Sequence, residues 1–218
     1  MKKLITVIVA FIALGAYNAT AQDDAKAKAI LDELSAKTKS YSNIKATFSY
    51  NLSNPDAKID ETQEGTIHIK GSKYRLEIAG QEVISDGKTV WTYLKDANEV
   101  QINDMDASSE EAVTPSNIFT MYEKGFKYKF EGEKTEGGKV IQTIILYPID
   151  VKGKPYHQVK LQIDKNAKQI QSIKVLSKDG NHYTYTVKTF TPNTDITDAH
   201  FTFNAAKYPK VEVIDLRD

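Results

Sequence analysis

Four histidines are the first residues to test for chemistry, because imidazole serves both as a metal ligand and as a general base. They are His68, His157, His182 and His200, and no two of them stand in an H-x-x-x-H or H-E-x-x-H spacing. A helix that binds zinc through two histidines needs that spacing, so that both imidazoles reach one ion. Each histidine instead falls singly in a strand or turn pattern, which favours a strand-face or surface position. The sequence therefore predicts no metal site and no cofactor.

Covalent catalysis finds no candidate residues either. The chain has no cysteine, which excludes a thiol nucleophile, a zinc–thiolate site and a disulfide framework. It also lacks a Gly-x-Ser-x-Gly elbow and a glycine-rich phosphate loop. Asp104–Asp106 and Asp179–Asn181 do not follow the calcium-loop pattern and are interpreted as turns. The 29 acidic residues leave room for a carboxylate pair in space, so an exported hydrolase on a β-sandwich core stays an alternative to the prediction of a non-enzyme.

Length and charge narrow the class of protein further. A chain of 218 residues corresponds to one large domain or two small ones, and a hydrophobic fraction of 40% suffices for a core. Lys and Arg number 29 and balance the 29 acids, giving a formal net charge of zero. That balance argues against nucleic acid as a partner, because nucleic-acid binding requires a basic surface.

The N-terminus has the pattern of a secretory signal peptide. A basic start, Met1–Lys3, precedes an apolar stretch at Leu4–Ala16 and a small-x-small site at Ala19–Ala21. The apolar stretch is shorter than the roughly 20 residues of a transmembrane helix. We therefore predict a signal peptide over residues 1–21, cleavage after Ala21, and a single domain over residues 22–218. Export without cysteine suits a periplasmic location.

The periodicity of apolar residues predicts one helix followed by many strands. Ile30, Leu31 and Leu34 form an apolar stripe on a helix over Asp23–Lys39. From Ile44 the period changes to two, and about 11 strands joined by short turns follow. A second, short helix over Pro115–Glu123 interrupts them, with Thr114 as its N-cap and Gly125 at its end. The fold class is mainly β with some α: an antiparallel sheet that must curl to hide its apolar face.

A curled sheet of this size has two outcomes that the sequence alone leaves open. It either encloses a hydrophobic cavity under the two helices or fills its interior with its own side chains as a half-barrel or sandwich.

Several segments together resemble the periplasmic carrier of outer-membrane lipoproteins, the LolA family. The clearest is the hairpin Ser85–Tyr93, which has the family's Asp-Gly-Lys-Thr-aliphatic-Trp-x-Tyr pattern. Ser42–Phe48 and Glu64–Lys70 resemble the family's first two strands, Thr114–Pro115 its mid-chain helix, and Asp198–Phe203 its ending. The resemblance spans nearly the whole mature chain in the same order and indicates a divergent, Bacteroidetes-like member.

The sequence departs from the family at one position that matters for the lid. The family's second strand is usually followed by Lys-Arg-Pro, whose arginine is implicated in holding the lid, whereas this chain has Lys70–Lys73 there. Tyr74–Glu77 resembles the strand that comes next in the family. Arg75 is therefore a candidate lid contact, and Lys70 is the alternative.

The resemblance implies an unclosed β-barrel whose helices cover a hydrophobic cavity. A protein of this kind is a monomeric periplasmic carrier that binds the acyl chains of lipoproteins and transports them from the inner to the outer membrane. Its partners would be the acylated lipoproteins, an inner-membrane lipoprotein-releasing complex and an outer-membrane acceptor. A LolA-like binder or sensor of another lipid or lipopeptide is the alternative within the same fold.

Residue assignments follow from the alternation of side chains along the strands and from the apolar face of the short helix. The expected cavity wall and lid are, respectively, Phe48, Tyr50, Leu76, Ile78, Trp91 and Tyr93, and Ile118, Phe119 and Tyr122. A one-residue slip in register would exchange the inner and outer faces of a strand.

Overall fold

A twelve-stranded sheet accounts for most of the backbone in the computed structural model, which describes residues 8–105 and 117–217. One long α-helix, α1 (Ile8–Lys39), precedes the sheet, and short 3-10 helices lie at Met121–Glu123, Asp198–Phe201 and Ala205–Lys207. The strands are β1 (Ile44–Asn54), β2 (Ile59–Lys70), β3 (Lys73–Ile78), β4 (Gln81–Ser85), β5 (Thr89–Leu94), β6 (Glu99–Asp104), β7 (Phe126–Glu136), β8 (Lys139–Pro148), β9 (Tyr156–Asp164), β10 (Gln169–Ser177), β11 (His182–Pro192) and β12 (Glu212–Asp215).

The sheet consists of two meanders, β1–β6 and β7–β11, and the first strand of one pairs with the last strand of the other. It reads β12-β6-β5-β4-β3-β2-β1-β11-β10-β9-β8-β7, so β1 pairs with β11 in the middle and the sheet ends at β7 and β12 without closing. The predicted fold class, an unclosed and curled antiparallel sheet, is confirmed. The count is one strand higher than the predicted 11, and the additional strand is β12. That strand has four residues and pairs in parallel with β6, so it carries no hairpin signal of its own.

The sheet has an inner face, against which α1 packs, and an outer face. Ala27, Leu31 and Leu34 of α1 are buried in the core. Cross-strand partners extend the inner face over the whole sheet, for example along the row Ala46, Ile67 and Leu76. α1 lies mainly along β7 and reaches β10, so it covers the β7–β10 half of the inner face.

α1 is longer than the predicted helix Asp23–Lys39. In the described residues it begins at Ile8 and continues without a break past the predicted cleavage position. Lys37 and Lys39 lie in its last turn, where a positive charge stabilises the helix dipole. Among the described residues, no helix has the length and apolar character needed to cross a bilayer.

The segment after β6 differs from the predicted helix Pro115–Glu123. Thr114 and Pro115 lie outside the described residues, and from Asn117 the chain forms turns and a 3-10 helix at Met121–Glu123. Gly125 follows with a φ of +80°, in keeping with its expected role of ending the element. Because so short a helix gains little from its own hydrogen bonds, the burial of Phe119 and Tyr122 determines the backbone path.

The outer face of β2–β6 is covered by the chain that follows β11, which we call the C-terminal segment (residues 193–211). A second apolar cluster forms there: Ile84 of β4, Val100 of β6 and Phe201 of the C-terminal segment are each 0% exposed. Thus the β2–β6 half of the sheet carries its main cover on the outside, and the β7–β10 half carries α1 on the inside.

Candidate functional site

Four of the predicted wall residues share the inner face of the sheet. Phe48 is buried, whereas Tyr50, Leu76 and Ile78 are only half-buried and pack at the margin of the main core. Cross-strand register places Phe48 and Ile78 on either side of Gly65, and Leu76 next to Ile67. These residues lie beyond the part of the inner face that α1 covers, so they form an apolar wall whose surface is only partly covered by the protein.

β11 completes this wall with residues that the sequence reasoning did not single out. Tyr183, Tyr185 and Val187 alternate on its inner side and lie opposite Leu52, Tyr50 and Phe48. The Tyr50 ring centroid lies 5.2 Å from that of Tyr185 and 6.3 Å from that of Tyr183. The signal in the sequence was the Tyr-x-Tyr-x-Val alternation, but only the β1–β11 pairing brings it to Tyr50.

The hydroxyl groups of Tyr50 and Tyr185 stay neutral. Burial, with smaller contributions from Tyr50 and Tyr183, raises the pKa of Tyr185 to about 12. Burial also raises the pKa of Tyr50 above its ordinary value. The aromatic part of the wall therefore presents ring faces and neutral hydroxyl groups, which suits an apolar ligand.

Gly65 allows the Phe48 ring to lie across β2. A Cβ at this position would come within 2.6 Å of Phe48 Cζ and 3.1 Å of the Glu77 backbone oxygen. The missing side chain is therefore needed for close approach of the ring to the sheet backbone.

The three predicted lid residues meet the inner face. Phe119 is 8% exposed and Tyr122 1% exposed, and Ile118 packs beside them as a partly buried residue. The Phe119 ring stands edge-on to Phe190 of β11, with 5.8 Å between ring centroids. The described part of the lid (residues 117–125) thus lies against the wall, close to α1.

One carboxylate fastens the lid to α1. Glu123 accepts a hydrogen bond from Ser35 Oγ at 2.7 Å and another from Lys39 Nζ at 2.7 Å. Partial burial opposes ionisation of Glu123, but the hydrogen bonds from Lys39 and Ser35 and the nearby positive charge outweigh it. The pKa of Glu123 therefore lies below its ordinary value. The Lys39 side chain is 61% exposed and that of Glu123 24%, so this ion pair contributes little to stability.

Trp91 and Tyr93 do not belong to the wall formed by the other four residues, which corrects their assignment. Trp91 lies opposite Ile84, and Ile84 opposite Arg75, in a row on the outer face. The Tyr93 ring packs edge-on against Tyr208 of the C-terminal segment, with 4.6 Å between centroids. Alternation within one strand shows which residues share a face but not which face that is. The length of the turns between neighbouring strands sets the register, and the register decides whether a residue lies on the inner or the outer face.

Arg75 is also on the outer face, so its assignment as a lid contact is corrected. Its Nε donates to Glu82 Oε1 at 2.5 Å and its Nη1 donates to the backbone oxygen of His200 at 3.0 Å. Glu82 is buried at 5% exposure and accepts a further hydrogen bond from the Tyr208 hydroxyl. Within residues 8–105 and 117–217, Arg75 therefore holds the C-terminal segment and not the lid.

Lys70, the alternative lid contact, is also paired with a carboxylate of the C-terminal segment, Asp198. Lys70 and Lys73 each place Nζ 2.8 Å from a different carboxylate oxygen of Asp198. The hydrogen bond from Lys70, then the one from Lys73, and the positive charges of both lysines lower the pKa of Asp198 to about 2. We call this set of contacts, together with Arg75, Glu82 and Tyr208, the C-terminal clasp.

Two of the four histidines meet within the clasp. His68 of β2 and His200 of the C-terminal segment stack with ring centroids 4.4 Å apart, and His68 Nδ1 is hydrogen-bonded to His200 Nε2. Burial, followed by the positive charge of His200, Lys45 and Arg75, lowers the pKa of His68 to about 4. Across residues 8–105 and 117–217, no three potential metal-ligating side chains are grouped to hold an ion.

Comparisons with known proteins agree with this architecture. The family model described as outer membrane lipoprotein carrier protein LolA matches residues 39–204. A protein of Psychromonas ingrahamii named outer-membrane lipoprotein carrier protein is 36% identical over 97 residues, which are 43% of this chain and 45% of that protein. The chain thus matches somewhat less than half the length of this curated relative.

Two solved structures resemble the fold. An uncharacterized conserved protein from Thermus thermophilus is 15% identical, with a TM-score of 0.57 over 87% of this chain and 99% of that one. The Mycobacterium tuberculosis lipoprotein LppX is 12% identical, with a TM-score of 0.49 over 80% of this chain and 98% of that one. Since the family model covers most of the residues in one continuous stretch, the chain belongs to the LolA family of outer membrane lipoprotein carrier proteins.

Proposed function

We propose that this protein is a periplasmic carrier that binds the acyl chains of lipoproteins on its inner wall and moves them from the inner to the outer membrane. The observation that carries the proposal is the half-buried state of the wall. Tyr50, Leu76, Ile78, Tyr185 and Val187 pack at the margin of the core but are not fully covered by the protein itself. An apolar surface left open inside a curled sheet is where an acyl chain would lie.

The free energy of transfer makes such a carrier necessary. Each CH₂ group of an acyl chain gains about 0.8 kcal/mol when it leaves water for an apolar surface. A lipoprotein that crosses an aqueous compartment without cover would therefore stay in its membrane. A wall of aromatic and aliphatic side chains replaces the bilayer for the duration of the transfer.

Release requires that the bound state be only moderately stable. The lid rests on the wall through Phe119 and Tyr122 and on α1 through Glu123, whose partner Lys39 is exposed. An exposed ion pair of this kind contributes on the order of 0–1 kcal/mol. The ion pair therefore adds little to the cost of opening, which is set mainly by exposing Phe119 and Tyr122, and an open lid would let cargo enter from a releasing complex and leave to an acceptor.

The proposed cycle involves no making or breaking of covalent bonds. Loading at the inner membrane would need a lipoprotein-releasing complex, and delivery would need an outer-membrane acceptor with higher affinity for the acyl chains. Export of the carrier itself would follow from the predicted signal peptide at residues 1–21.

The test is release of a lipoprotein from the membrane. The exported protein is purified and incubated with inner-membrane vesicles that carry an energised releasing complex and an acylated lipoprotein. We expect a soluble one-to-one complex by size-exclusion chromatography, with the acylated peptide identified by mass spectrometry. Recovery of free lipid alone would point to a lipid binder of the same fold, and recovery of no acyl chain would overturn the proposal.

A further inference from the structure

Three large apolar side chains stand exposed at the turn between β8 and β9. Tyr147 is 43% exposed, Ile149 61% and Val151 55%. Tyr147 is the next-to-last residue of β8, and Ile149 and Val151 follow it in the bend and turn that lead to β9. In residues 24–105 and 117–217 the other strongly exposed large hydrophobic residues are Val213 and Leu216, on and just after β12. Single exposed apolar residues are ordinary, but three within five positions form a surface that requires an explanation.

The turn that carries these side chains is held in place by its own hydrogen bonds. The Ile149 N–H donates to the Gly125 backbone oxygen at 2.9 Å. Asp150 Oδ1 accepts from the N–H groups of Lys152 and Gly153 at 3.0 and 3.1 Å. Lys178 Nζ donates to the Val151 backbone oxygen. The apolar side chains are therefore presented by an ordered turn.

Exposed lysines surround these residues. Lys152 lies in the turn itself, and Lys178 contacts the turn at Val151. Lys127 of β7 lies opposite Tyr147 of β8. Lys124 directly precedes Gly125, whose backbone oxygen accepts from the Ile149 N–H. Two nearby carboxylates accept hydrogen bonds within their own turns: Asp150 from the Lys152 N–H and Asp179 from the Asn181 N–H. We call the three apolar residues and these lysines, Lys124, Lys127, Lys152 and Lys178, the lysine-rimmed patch.

We propose that the lysine-rimmed patch docks on the surface of an anionic lipid bilayer. Apolar side chains on a turn enter the boundary between headgroups and acyl chains, while lysines around them contact the lipid phosphates. Charge complementarity selects the bilayer over a neutral surface. Four lysines against two locally engaged carboxylates give this end of a chain with zero formal net charge a local positive potential.

The patch lies at the end of the sheet where the inner wall is richest in aromatic rings. The Lys178–Asn181 turn joins β10 to β11. In this turn Asn181 Nδ2 donates to the Asp179 carboxylate, and Asn181 Oδ1 accepts a hydrogen bond of 2.9 Å from Asn54 Nδ2 at the end of β1. Tyr183 follows directly on β11 and stacks with Tyr50. Docking by the patch would thus bring this end of the wall to the bilayer surface. The inference goes beyond the carrier function, because docking requires no cargo.

Co-sedimentation with vesicles tests the inference. The purified protein is mixed with phosphatidylethanolamine vesicles that contain one quarter phosphatidylglycerol, and in parallel with phosphatidylcholine vesicles. We expect binding to the anionic vesicles that is at least tenfold stronger and that weakens with added salt. The double variant Ile149→Ser/Val151→Ser should lose at least tenfold in binding, and so should Lys127→Glu/Lys152→Glu. Val213→Ser/Leu216→Ser removes equally exposed apolar side chains elsewhere and should bind as the unchanged protein does.

Three results would overturn docking on a bilayer: no binding by the unchanged protein, equal binding by the Ile149→Ser/Val151→Ser variant, or an equal loss in the Val213→Ser/Leu216→Ser control. Concentration-dependent dimerisation abolished by Ile149→Ser/Val151→Ser, without vesicle binding, would instead assign the patch to a second copy of the chain. Uptake of an acylated peptide in solution is measured for every variant. Loss of vesicle binding with normal uptake leaves the carrier function intact, so the two proposals fail separately.

Discussion

The Tyr208 hydroxyl donates a hydrogen bond of 2.7 Å to Glu82 Oε2, and this contact fastens the C-terminal segment to the outer face of the sheet. Arg75 occupies the other carboxylate oxygen of Glu82. Burial, and then the hydrogen bond to Glu82, raise the pKa of Tyr208 to about 12, so its hydroxyl stays protonated and remains a donor. The buried carboxylate thus joins the neighbouring strands β3 and β4 to the C-terminal segment, which is far away in sequence.

Replacing Arg75 alone should destabilise the protein strongly. Arg75→Met leaves Glu82 buried without its counter-charge, and breaking a buried pair in this way costs about 3–5 kcal/mol. We expect a loss of about 3 kcal/mol in the free energy of unfolding, measured with urea, and faster hydrogen exchange in residues 193–211. The double variant Arg75→Met/Glu82→Leu removes both charges and should recover most of the loss. Wild-type stability in Arg75→Met would contradict the clasp.

Adding one methyl group at Gly65 should disturb the inner wall. Gly65→Ala places a Cβ within 2.6 Å of Phe48 Cζ, so the ring must leave its position over β2. Overpacking of this kind costs about 1–3 kcal/mol. We expect that loss in urea unfolding together with weaker uptake of a fluorescent acylated peptide.

Shortening the displaced side chain provides the control for Gly65→Ala. Phe48→Leu removes the ring atoms that the new Cβ would meet, so Gly65→Ala/Phe48→Leu should be more stable than Gly65→Ala. If the second substitution adds to the loss instead, contact with the Phe48 ring does not explain the role of Gly65.

Local patterns in the sequence were sufficient for the strands but not for their faces. Alternation from Ile44 to Leu52 located β1, and Asp86-Gly87 located the β4–β5 hairpin, where Asp86 Oδ1 accepts from the Lys88 and Thr89 N–H groups. These signals act over a few residues. Trp91 faces the side opposite to Leu76 because the register across β3, β4 and β5 sets the phase, and no single strand records it.

The clasp could not be predicted because its partners are distant in sequence. Arg75 and Glu82 are on neighbouring strands, but His200 and Tyr208 reach them only after the chain has passed through β11. The family resemblance predicted that Arg75 or Lys70 holds the lid. What they hold is the C-terminal segment, and that follows only from the packing of the outer face.

Stability should fall as the pH is lowered from about 6.5 towards 4. The pKa of His68 is about 4 in the folded protein, below the 6.5 of an ordinary histidine, because it is buried and faces His200, Lys45 and Arg75. Between these values the unfolded chain binds more protons than the folded one, so acid favours unfolding. His200, whose pKa is also lowered, acts in the same direction.

The pH effect is measured as the urea midpoint between pH 4 and pH 7.5. His68→Gln removes the proton-binding group and should flatten the profile in this range. His157→Gln changes an exposed histidine of β9 and should leave the profile unaltered. Equal profiles for all three proteins would show that the stacked pair does not control acid stability.

A charge on the lid should abolish cargo binding. Phe119 lies edge-on to Phe190 at the wall, and Phe119→Glu would place a carboxylate on an apolar surface, where it is strongly disfavoured. We expect loss of acylated-peptide binding while the far-ultraviolet circular dichroism spectrum, which reports the sheet, is retained.

Phe203→Glu is the matched control for Phe119→Glu. Phe203 packs on Tyr208 at the outer face, with 4.6 Å between ring centroids, so the substitution makes the same chemical change away from the wall. It should weaken the clasp and leave cargo binding close to that of the unchanged protein. If the two variants bind equally well, the lid does not form part of the site.

The single tryptophan offers a direct test of which face receives the acyl chain. Trp91 lies on the outer face in the row of Ile84, whereas Ile78 lies on the inner face next to Gly65. Binding of an acylated peptide should leave the emission maximum of Trp91 unchanged, because the indole gains no apolar neighbours. In the variant Trp91→Phe/Ile78→Trp the only indole faces the wall, and binding should shift its emission to the blue as water is displaced. A blue shift from Trp91 in the unchanged protein, with none from a tryptophan at position 78, would place the acyl chain on the outer face and contradict the inner wall.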